Sequence, residues 1–168
     1  HVRDLADGLR EAGHNVLCLC PGQAATLAEG MHGIGRMRSI SLAGTHFELS
    51  LASRAELADL DKKLAAFEPD IMHYHTMWVP LLPWQVFRRR KRPSIATFHD
   101  TTSPDATGAV LRGIFRPLSR YLLGKLDGAI TVSTAPLQHL RPGISGVIPA
   151  IMPPAVELDE FILARKPQ

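Results

Sequence analysis

The chain has 168 residues, of which 45% are hydrophobic and 21% charged, with a formal net charge of +3 and a pI of about 9.1. This length and composition predict one globular domain with a sizeable core and exclude an intrinsically disordered chain. The mildly basic charge suits an anionic partner, such as a phosphate-bearing substrate, a lipid head group or nucleic acid, without selecting among them.

The first twenty residues predict a helix followed by a buried strand. Leu5 and Leu9 recur at helical spacing, and Gly13 stands where such a helix would end. The apolar run after it ends in Cys18 and Cys20, which would share one strand face as small apolar side chains. The pair predicts no disulfide framework and suits a reducing cytoplasm.

Strands and helices alternate through the rest of the chain. A glycine-rich loop over residues 30–35 leads to a strand around MRSISLA, and Ser53 with Glu56 forms a capping-box pair that begins a second helix. The remaining predicted elements are a strand at DIMHYHT, a helix at PLLPWQVFRRRKR, a strand at PSIATF, a long helix at AVLRGIFRPLSRYLLGKL, a strand at DGAITVS, a short helix at TAPLQHL and a strand at GVIPA. This α/β alternation predicts a doubly wound, Rossmann-like parallel sheet with helices on both faces.

Polar residues directly follow three of the predicted strands. They are His73, His75 and Thr76 after the first strand, His99 to Thr102 after the second, and Ser133 with Thr134 after the third. Because open α/β sheets bind ligands beyond the carboxyl ends of their strands, these residues are the candidates for a functional site.

Several chemistries are open to these residues. His73 and His75, together with His99 and Asp100, could be the ligand set of a metal-dependent hydrolase, or one of the pair could be a core histidine with a hydrogen-bond partner. A serine hydrolase is disfavoured because the chain has no G-x-S-x-G, and a dinucleotide enzyme because no G-x-G-x-x-G follows a strand. The string GMHGIG over residues 30–35 is interpreted as a loop. An aromatic content of 6% argues against nucleic-acid binding.

One predicted helix combines Trp84 with a basic run that begins at Arg88. Such a helix could rest on an anionic membrane surface. It could equally cover the core and end in solvated cations that complement the helix dipole.

Five segments, in their order and spacing, resemble one family: the retaining glycosyltransferases of the GT-B class, glycosyltransferase family 4. Within this family the chain is most similar to the bacterial phosphatidylinositol mannosyltransferases. The segments are HVRDLADGLREAGHNV, FEPDIMHYHT, PSIATFHDT, DGAITVS and GVIPAIMPPAVELDEF.

The resemblance implies that residues 1–168 form the N-terminal, acceptor-side Rossmann-like domain of a two-domain enzyme. We expect the family's first strand before His1 and its donor-binding C-terminal domain after Gln168, so that this domain is incomplete and the chain alone is inactive. The implied reaction transfers a sugar from a nucleotide-sugar to a lipid-linked or polyol acceptor with retention of configuration. The more specific expectation for the sugar is mannose. The alternatives are a non-catalytic Rossmann-like remnant or binding module and, third, the metal-dependent hydrolase.

The resemblance also implies the substrates and the location. The donor is GDP-mannose or a UDP-sugar, no cofactor or metal ion is bound, and nucleic acid is not a partner. The enzyme is expected to be cytoplasmic, with a peripheral contact at the anionic inner face of the plasma membrane.

The resemblance assigns roles to the strand-end residues. His99 is the catalytic candidate, which would orient the acceptor hydroxyl or stabilise charge during transfer. The implied acceptor-binding residues are Asp100, Thr101, Thr102, His75, Thr76 and Ser133. The implied membrane-contact residues are Trp84, Arg88, Arg89 and Arg90.

Overall fold

The computed structural model describes residues 2–22, 30–42, 45–75, 77, 81–89, 91–99, 117–138, 140 and 146–154. The described elements, in chain order, are α1 (Val2–Glu11), β1 (Cys18–Pro21), β2 (Met31–Ile34), β3 (Arg36–Leu42), β4 (Thr45–Leu51), α2 (Arg54–Phe67), β5 (Met72–His75), α3 (Leu82–Phe87), β6 (Ser94–Phe98), α4 (described over 117–123), β7 (Gly128–Thr131), a 3-10 turn (Pro136–Gln138) and β8 (Ala150–Ile151).

Parallel strands form the framework. Strands β5, β6, β7 and β8 form one sheet in that order, and every neighbouring pair is parallel. Strands β1 and β2 form a second parallel pair, which within the described ranges is a separate sheet. Parallel strands joined through helices are the mark of a Rossmann-like α/β fold, so the predicted fold class is confirmed.

One prediction for residues 30–51 is wrong and one is confirmed. The string interpreted as a loop contains β2, which pairs with β1. The strand expected around MRSISLA is present as β3, and it forms an antiparallel hairpin with β4, which was not predicted. Strands β2 and β4 depend on pairing with other strands, which the sequence of one short segment does not reveal. Gly35 separates β2 from β3 with a φ of 75°, and a Cβ there would lie 3.0 Å from the backbone of Leu51, so glycine fits this turn best.

The first two helices begin and end as predicted. Gly13 adopts a φ of 89° after α1, and the N–H groups of Gly13 and His14 donate to the carbonyls of Arg10 and Leu9, which is a Schellman cap. The side chain of Leu9 remains 38% exposed, and Ala6 is the buried residue of α1.

Helix α2 begins with a reciprocal capping box. The Ser53 hydroxyl accepts a hydrogen bond from the Glu56 N–H at 3.2 Å, and the Glu56 carboxylate accepts one from the Ser53 N–H at 2.7 Å. The same carboxylate accepts a hydrogen bond from the Gly35 N–H at 3.2 Å, so the cap also ties α2 to the turn between β2 and β3. These hydrogen bonds, led by those of Ser53, lower the pKa of Glu56.

Helix α3 is shorter than predicted. It ends at Phe87, before the basic run, because the Arg89 N–H bonds the Val86 carbonyl in a tightened last turn. The Gln85 amide exchanges two hydrogen bonds, of 2.9 and 3.0 Å, with the backbone of Ala52, which fixes α3 beside the start of α2.

One apolar cluster joins the elements. It includes side chains from β2, α2, β5, α3, β6, α4 and β7, and Phe87, Phe98 and Leu122 in it are at most 1% exposed. Tyr74 meets Phe87 edge to face, with ring centroids 5.5 Å apart. The β1–β2 pair, the four-stranded sheet and helices α2, α3 and α4 therefore share one core.

The capping box gives a stability prediction. We expect Ser53→Ala to lower the free energy of unfolding by about 1 kcal/mol, because it removes the acceptor of the Glu56 N–H. Ser53→Gly should lower it by only a few tenths of a kcal/mol. Urea unfolding followed by circular dichroism measures both. Ser53→Thr keeps the hydroxyl and is the control; equal stability of the Ala and Thr variants would contradict the assignment.

Candidate functional site

The candidate site lies at the carboxyl ends of two neighbouring parallel strands. His75 is the last residue of β5, and His99 directly follows β6. In the β5–β6 register His75 is opposite Thr97, so His99 stands two residues beyond that partner on the same face of the sheet. The pairing of the strands thus brings together two histidines that are 24 residues apart.

The two histidine rings are in direct contact. His75 Nδ1 and His99 Nε2 are 2.9 Å apart, and the ring centroids are 5.2 Å apart with an interplanar angle of 23°. A hydrogen bond of this kind needs one N–H and one lone pair, so the two rings share a single proton across the contact.

A third histidine and a threonine extend this contact. His73, two residues before His75 on β5, contacts the His75 ring in a tilted arrangement, with centroids 4.4 Å apart and an interplanar angle of 32°. His73 Nε2 lies 2.7 Å from the Oγ1 of Thr97, which is 4% exposed. We call His73, His75, His99 and Thr97 the histidine cluster.

His73 was predicted both as a strand-end candidate and as a possible metal ligand or core histidine, whereas Thr97 was not predicted. The spacing along the strands could have indicated both residues. Residues at i and i+2 on a strand share one face, as His73 and His75 do on β5 and Thr97 and His99 do at β6.

Burial and mutual repulsion keep the inner histidines neutral. Burial, together with the neighbouring His73 and His99, lowers the pKa of His75 to about 4. Burial and the neighbouring His99 also lower the pKa of His73. Near neutral pH these two rings are therefore uncharged and act as hydrogen-bond donors and acceptors.

The cluster is arranged for hydrogen bonding. One ring nitrogen of His73 is used by Thr97, and His75 and His99 use one nitrogen each for the other. Among the residues that the structure describes, no group of three or more histidine, cysteine, aspartate or glutamate side chains could hold a metal ion. Neutral imidazoles at a strand end can position a hydroxyl group by hydrogen bonding.

The other predicted acceptor-binding residues are distributed as follows. Ser133 is exposed, two residues beyond β7, and its hydroxyl accepts a hydrogen bond from the Ala135 N–H at 3.3 Å, as in a local turn. The remaining four lie outside the described residues: Thr76, Asp100, Thr101 and Thr102. The binding roles of all these residues stay predictions.

Three of the predicted membrane-contact residues, Trp84, Arg88 and Arg89, line a groove beside α3. The groove is lined by Leu51, Leu81, Trp84, Gln85, Arg88 and Arg89.

Trp84 is partly buried in this groove: its Nε1–H donates to the Met77 carbonyl at 3.0 Å, and its ring stacks on Tyr121 with centroids 5.7 Å apart. Arg88 is exposed, and Arg89 pairs with Asp61 at 3.4 Å. Arg90 lies outside the described residues. None of the helices within the described ranges is long and apolar enough to cross a bilayer.

Comparisons with known proteins identify relatives. The family model for Glycosyltransferase Family 4 matches residues 1–160. Phosphatidyl-myo-inositol mannosyltransferases from Mycolicibacterium smegmatis and Mycobacterium tuberculosis are 30% and 31% identical over 127 residues, which are 75% of this chain and 33% of each relative. The enzyme of that name from Propionibacterium freudenreichii is 29% identical over 98% of this chain and 44% of its own length. No solved structure matches. The chain thus spans less than half the length of these relatives.

The lowered pKa of His75 gives a prediction on pH. Since its pKa is about 4 in the folded state and about 6.5 in the unfolded state, the unfolded chain binds more protons between these values. The contribution of His75 to the free energy of unfolding should therefore be largest above a pH of about 6.5. The free energy of unfolding should fall as the pH drops from there toward about 4.

The measurement is urea unfolding at several pH values. His75→Asn should show a smaller loss of stability across this window than the wild type, because one titrating group is gone. His14→Asn, at an exposed position, controls for the loss of a histidine as such. If the free energy of unfolding of His75→Asn fell with pH as steeply as that of the wild type, the prediction would be contradicted.

Proposed function

The chain belongs to glycosyltransferase family 4, and on this premise we propose that it is the acceptor-side domain of an enzyme that transfers a sugar, specifically mannose, to a lipid-linked or polyol acceptor. The donor is a nucleotide-sugar, GDP-mannose or a UDP-sugar, and the transfer retains the configuration of the sugar. The relatives that support mannose and an inositol lipid are named phosphatidyl-myo-inositol mannosyltransferases.

The observation that carries the proposal is the contact between His75 and His99 at the carboxyl ends of β5 and β6. Parallel α/β sheets bind their ligands at this edge. An acceptor hydroxyl must be held with its oxygen toward the sugar carbon while the bond to the donor phosphate breaks, and positioning of this kind supplies a large part of catalysis.

His99 is proposed as the catalytic residue. As a neutral imidazole it can accept a hydrogen bond from the acceptor hydroxyl and so hold that oxygen in place for attack. In its cationic form it would instead stabilise a phosphate oxygen, which gives it a second way to assist the departing nucleotide. His75 is proposed to line the acceptor site next to His99.

The remaining acceptor contacts are proposed from their positions after the strands. A polyol ring carries several hydroxyl groups, and each needs a partner once water is displaced. Carboxylate and hydroxyl side chains supply such partners. The proposed contacts are Asp100, Thr101, Thr102, Thr76 and Ser133.

We also propose that the groove beside α3 contacts an anionic membrane. Leu51, 55% exposed, and Leu81 give the groove apolar surface, Trp84 contributes an amphipathic ring, and Arg88 is an exposed cation at its rim. Apolar and aromatic side chains flanked by cations favour the interface of a bilayer that contains acidic lipids. Arg89 is partly neutralised by Asp61 and should contribute less.

Transfer of a labelled sugar tests the proposed function. The protein is expressed from its natural coding sequence, including whatever flanks residues 1–168. It is incubated with GDP-mannose or UDP-sugars and with vesicles that contain phosphatidylinositol. We expect labelled lipid, with the anomeric configuration of the donor retained. His99→Ala should lower the rate by about a hundredfold or more, as expected when a group that positions the attacking oxygen is lost.

The control is His14→Ala, at an exposed position after α1, which should transfer at the wild-type rate. A folded wild-type product that transfers from no donor would contradict the proposal and favour a binding module. Undiminished transfer by His99→Ala would remove His99 from the site.

Vesicle binding tests the membrane contact. Arg88→Ala should weaken co-sedimentation with phosphatidylglycerol vesicles about fivefold at low salt, the effect of roughly 1 kcal/mol per cation near an anionic surface. Added salt should remove the difference, because it screens the attraction. Arg3→Ala on α1 is the matched control, since Arg3 is also exposed. Unchanged binding of Arg88→Ala would end this proposal.

A further inference from the structure

Three sulfur-bearing side chains share one face of the β1–β2 pair, outside the sheet that carries the histidine cluster. Cys18 and Cys20 are free thiols two residues apart on β1, so their side chains point to the same side of the strand. Met31 is the register partner of Cys18 on β2, and its Sδ lies 3.9 Å from the Sγ of Cys20. All three residues are only partly buried. We call Cys18, Cys20 and Met31 the sulfur cluster.

The spacing of these sulfur atoms fits the ligands of one metal ion. Two sulfur ligands of the same ion lie about 3.8 to 4.0 Å apart when each metal–sulfur bond is about 2.3 Å long and the ligand angle is tetrahedral or trigonal. The distance of 3.9 Å between the Cys20 Sγ and the Met31 Sδ has this length. The Cα atoms of Cys18 and Cys20 are about 6.6 Å apart on an extended strand. Rotation about the χ1 bond of Cys18 can therefore turn its sulfur toward an ion held by the other two.

The chemistry of the three ligands selects the kind of ion. Thiolates and thioethers are soft ligands, and among the first-row metals they favour Cu⁺. Structural Zn²⁺ sites are almost always closed by four ligands. Within the described ranges, no histidine, carboxylate or further cysteine joins the two thiols in a metal-binding set. A site of three sulfur atoms therefore suits Cu⁺ better than Zn²⁺.

A fixed cation lies beside the sulfur cluster. Two thiolates and one Cu⁺ carry a net charge of one negative unit, which a neighbouring positive charge stabilises. The Nη2 of Arg10 is 3.9 Å from the Cys18 Sγ. The same guanidinium is held in place by the carbonyls of Val16 and Gly30, at 3.2 and 3.3 Å, and by the Asp7 carboxylate at 2.7 Å. The cation beside the cluster is thus provided by the fold.

We propose that the sulfur cluster binds a soft monovalent cation, Cu⁺, through the thiolates of Cys18 and Cys20 and the thioether of Met31. On binding, both S–H bonds break, sulfur–copper bonds form in their place, and two protons pass to the solvent. No electron is transferred. Because β1 and β2 both supply ligands, the ion also links these two strands. The site does not rest on the proposed sugar transfer.

Competition for Cu⁺ tests the site. The protein is expressed from its natural coding sequence, kept reduced without oxygen, and titrated with Cu⁺ in the presence of bathocuproine disulfonate, which forms a coloured complex with the ion. The reference is a variant that carries both Cys18→Ser and Cys20→Ser. We expect the wild type to withdraw one more Cu⁺ per chain from the chelator than this variant does. Equal uptake by the two proteins overturns the proposal.

A methionine substitution tests the third ligand. Met31→Leu keeps a similar apolar side chain but removes the thioether, and it should weaken Cu⁺ binding about tenfold, because one of three soft ligands is lost. Met37→Leu is the matched control, since Met37 is 52% exposed on β3, and it should bind Cu⁺ as the wild type does. Wild-type affinity in Met31→Leu overturns the three-sulfur site.

Alkylation of the wild type provides a test that needs no variant. Thiols that bind an ion are shielded from iodoacetamide, because the free thiolate is the nucleophile. With one equivalent of Cu⁺ per chain, mass spectrometry of the digested protein should show Cys18 and Cys20 protected, and removal of the ion by the chelator should restore their modification. Modification of both cysteines at the same rate with and without Cu⁺ overturns the proposal, and this measurement decides if a variant fails to fold.

Discussion

The parallel pairing of β5 with β6 is the constraint on which the candidate site depends. Both strands run toward the same edge of the sheet, and their register sets His75 opposite Thr97, so that His99 arrives beside His75. The next strand is locked to this pair where β6 begins. The Ser94 N–H donates to the Asp127 carboxylate and the Asp127 N–H to the Ser94 carbonyl, both at 2.8 Å. A change of register by one residue would turn the histidines to the opposite face.

One face of this sheet packs into the core, and the other carries the histidine cluster. Tyr74, Ala96 and Phe98 alternate with the residues of the histidine cluster, and all three are buried in the shared core. The cluster lies on the other face, partly buried, where removal of water favours uncharged imidazole. The core thus fixes the strands, and burial on the other face keeps the rings of His73 and His75 uncharged near neutral pH.

Helix α3 is held in place by its own polar side chains. Its polar side chains are used internally: Gln85 holds the backbone of Ala52, and Trp84 bonds the Met77 carbonyl. These contacts fix the orientation of the helix, so that Arg88, just beyond its end, has a defined position at the groove. The cations follow the helix instead of extending it. A membrane contact here would use a preformed surface and would need little ordering on binding.

The sequence by itself determined the fold class, because alternating apolar strands and amphipathic helices bury their apolar surface in few ways, and local signals such as Gly13 and the Ser53–Glu56 pair fixed helix ends. It also indicated His75 and His99 as strand-end residues. Only the tertiary structure decided the pairing of β2 and the hairpin of β3 and β4, since these strands depend on distant partners. It alone brought His75 against His99 and Thr97 against His73, because register and ring orientation arise from packing between strands and not from spacing along one of them.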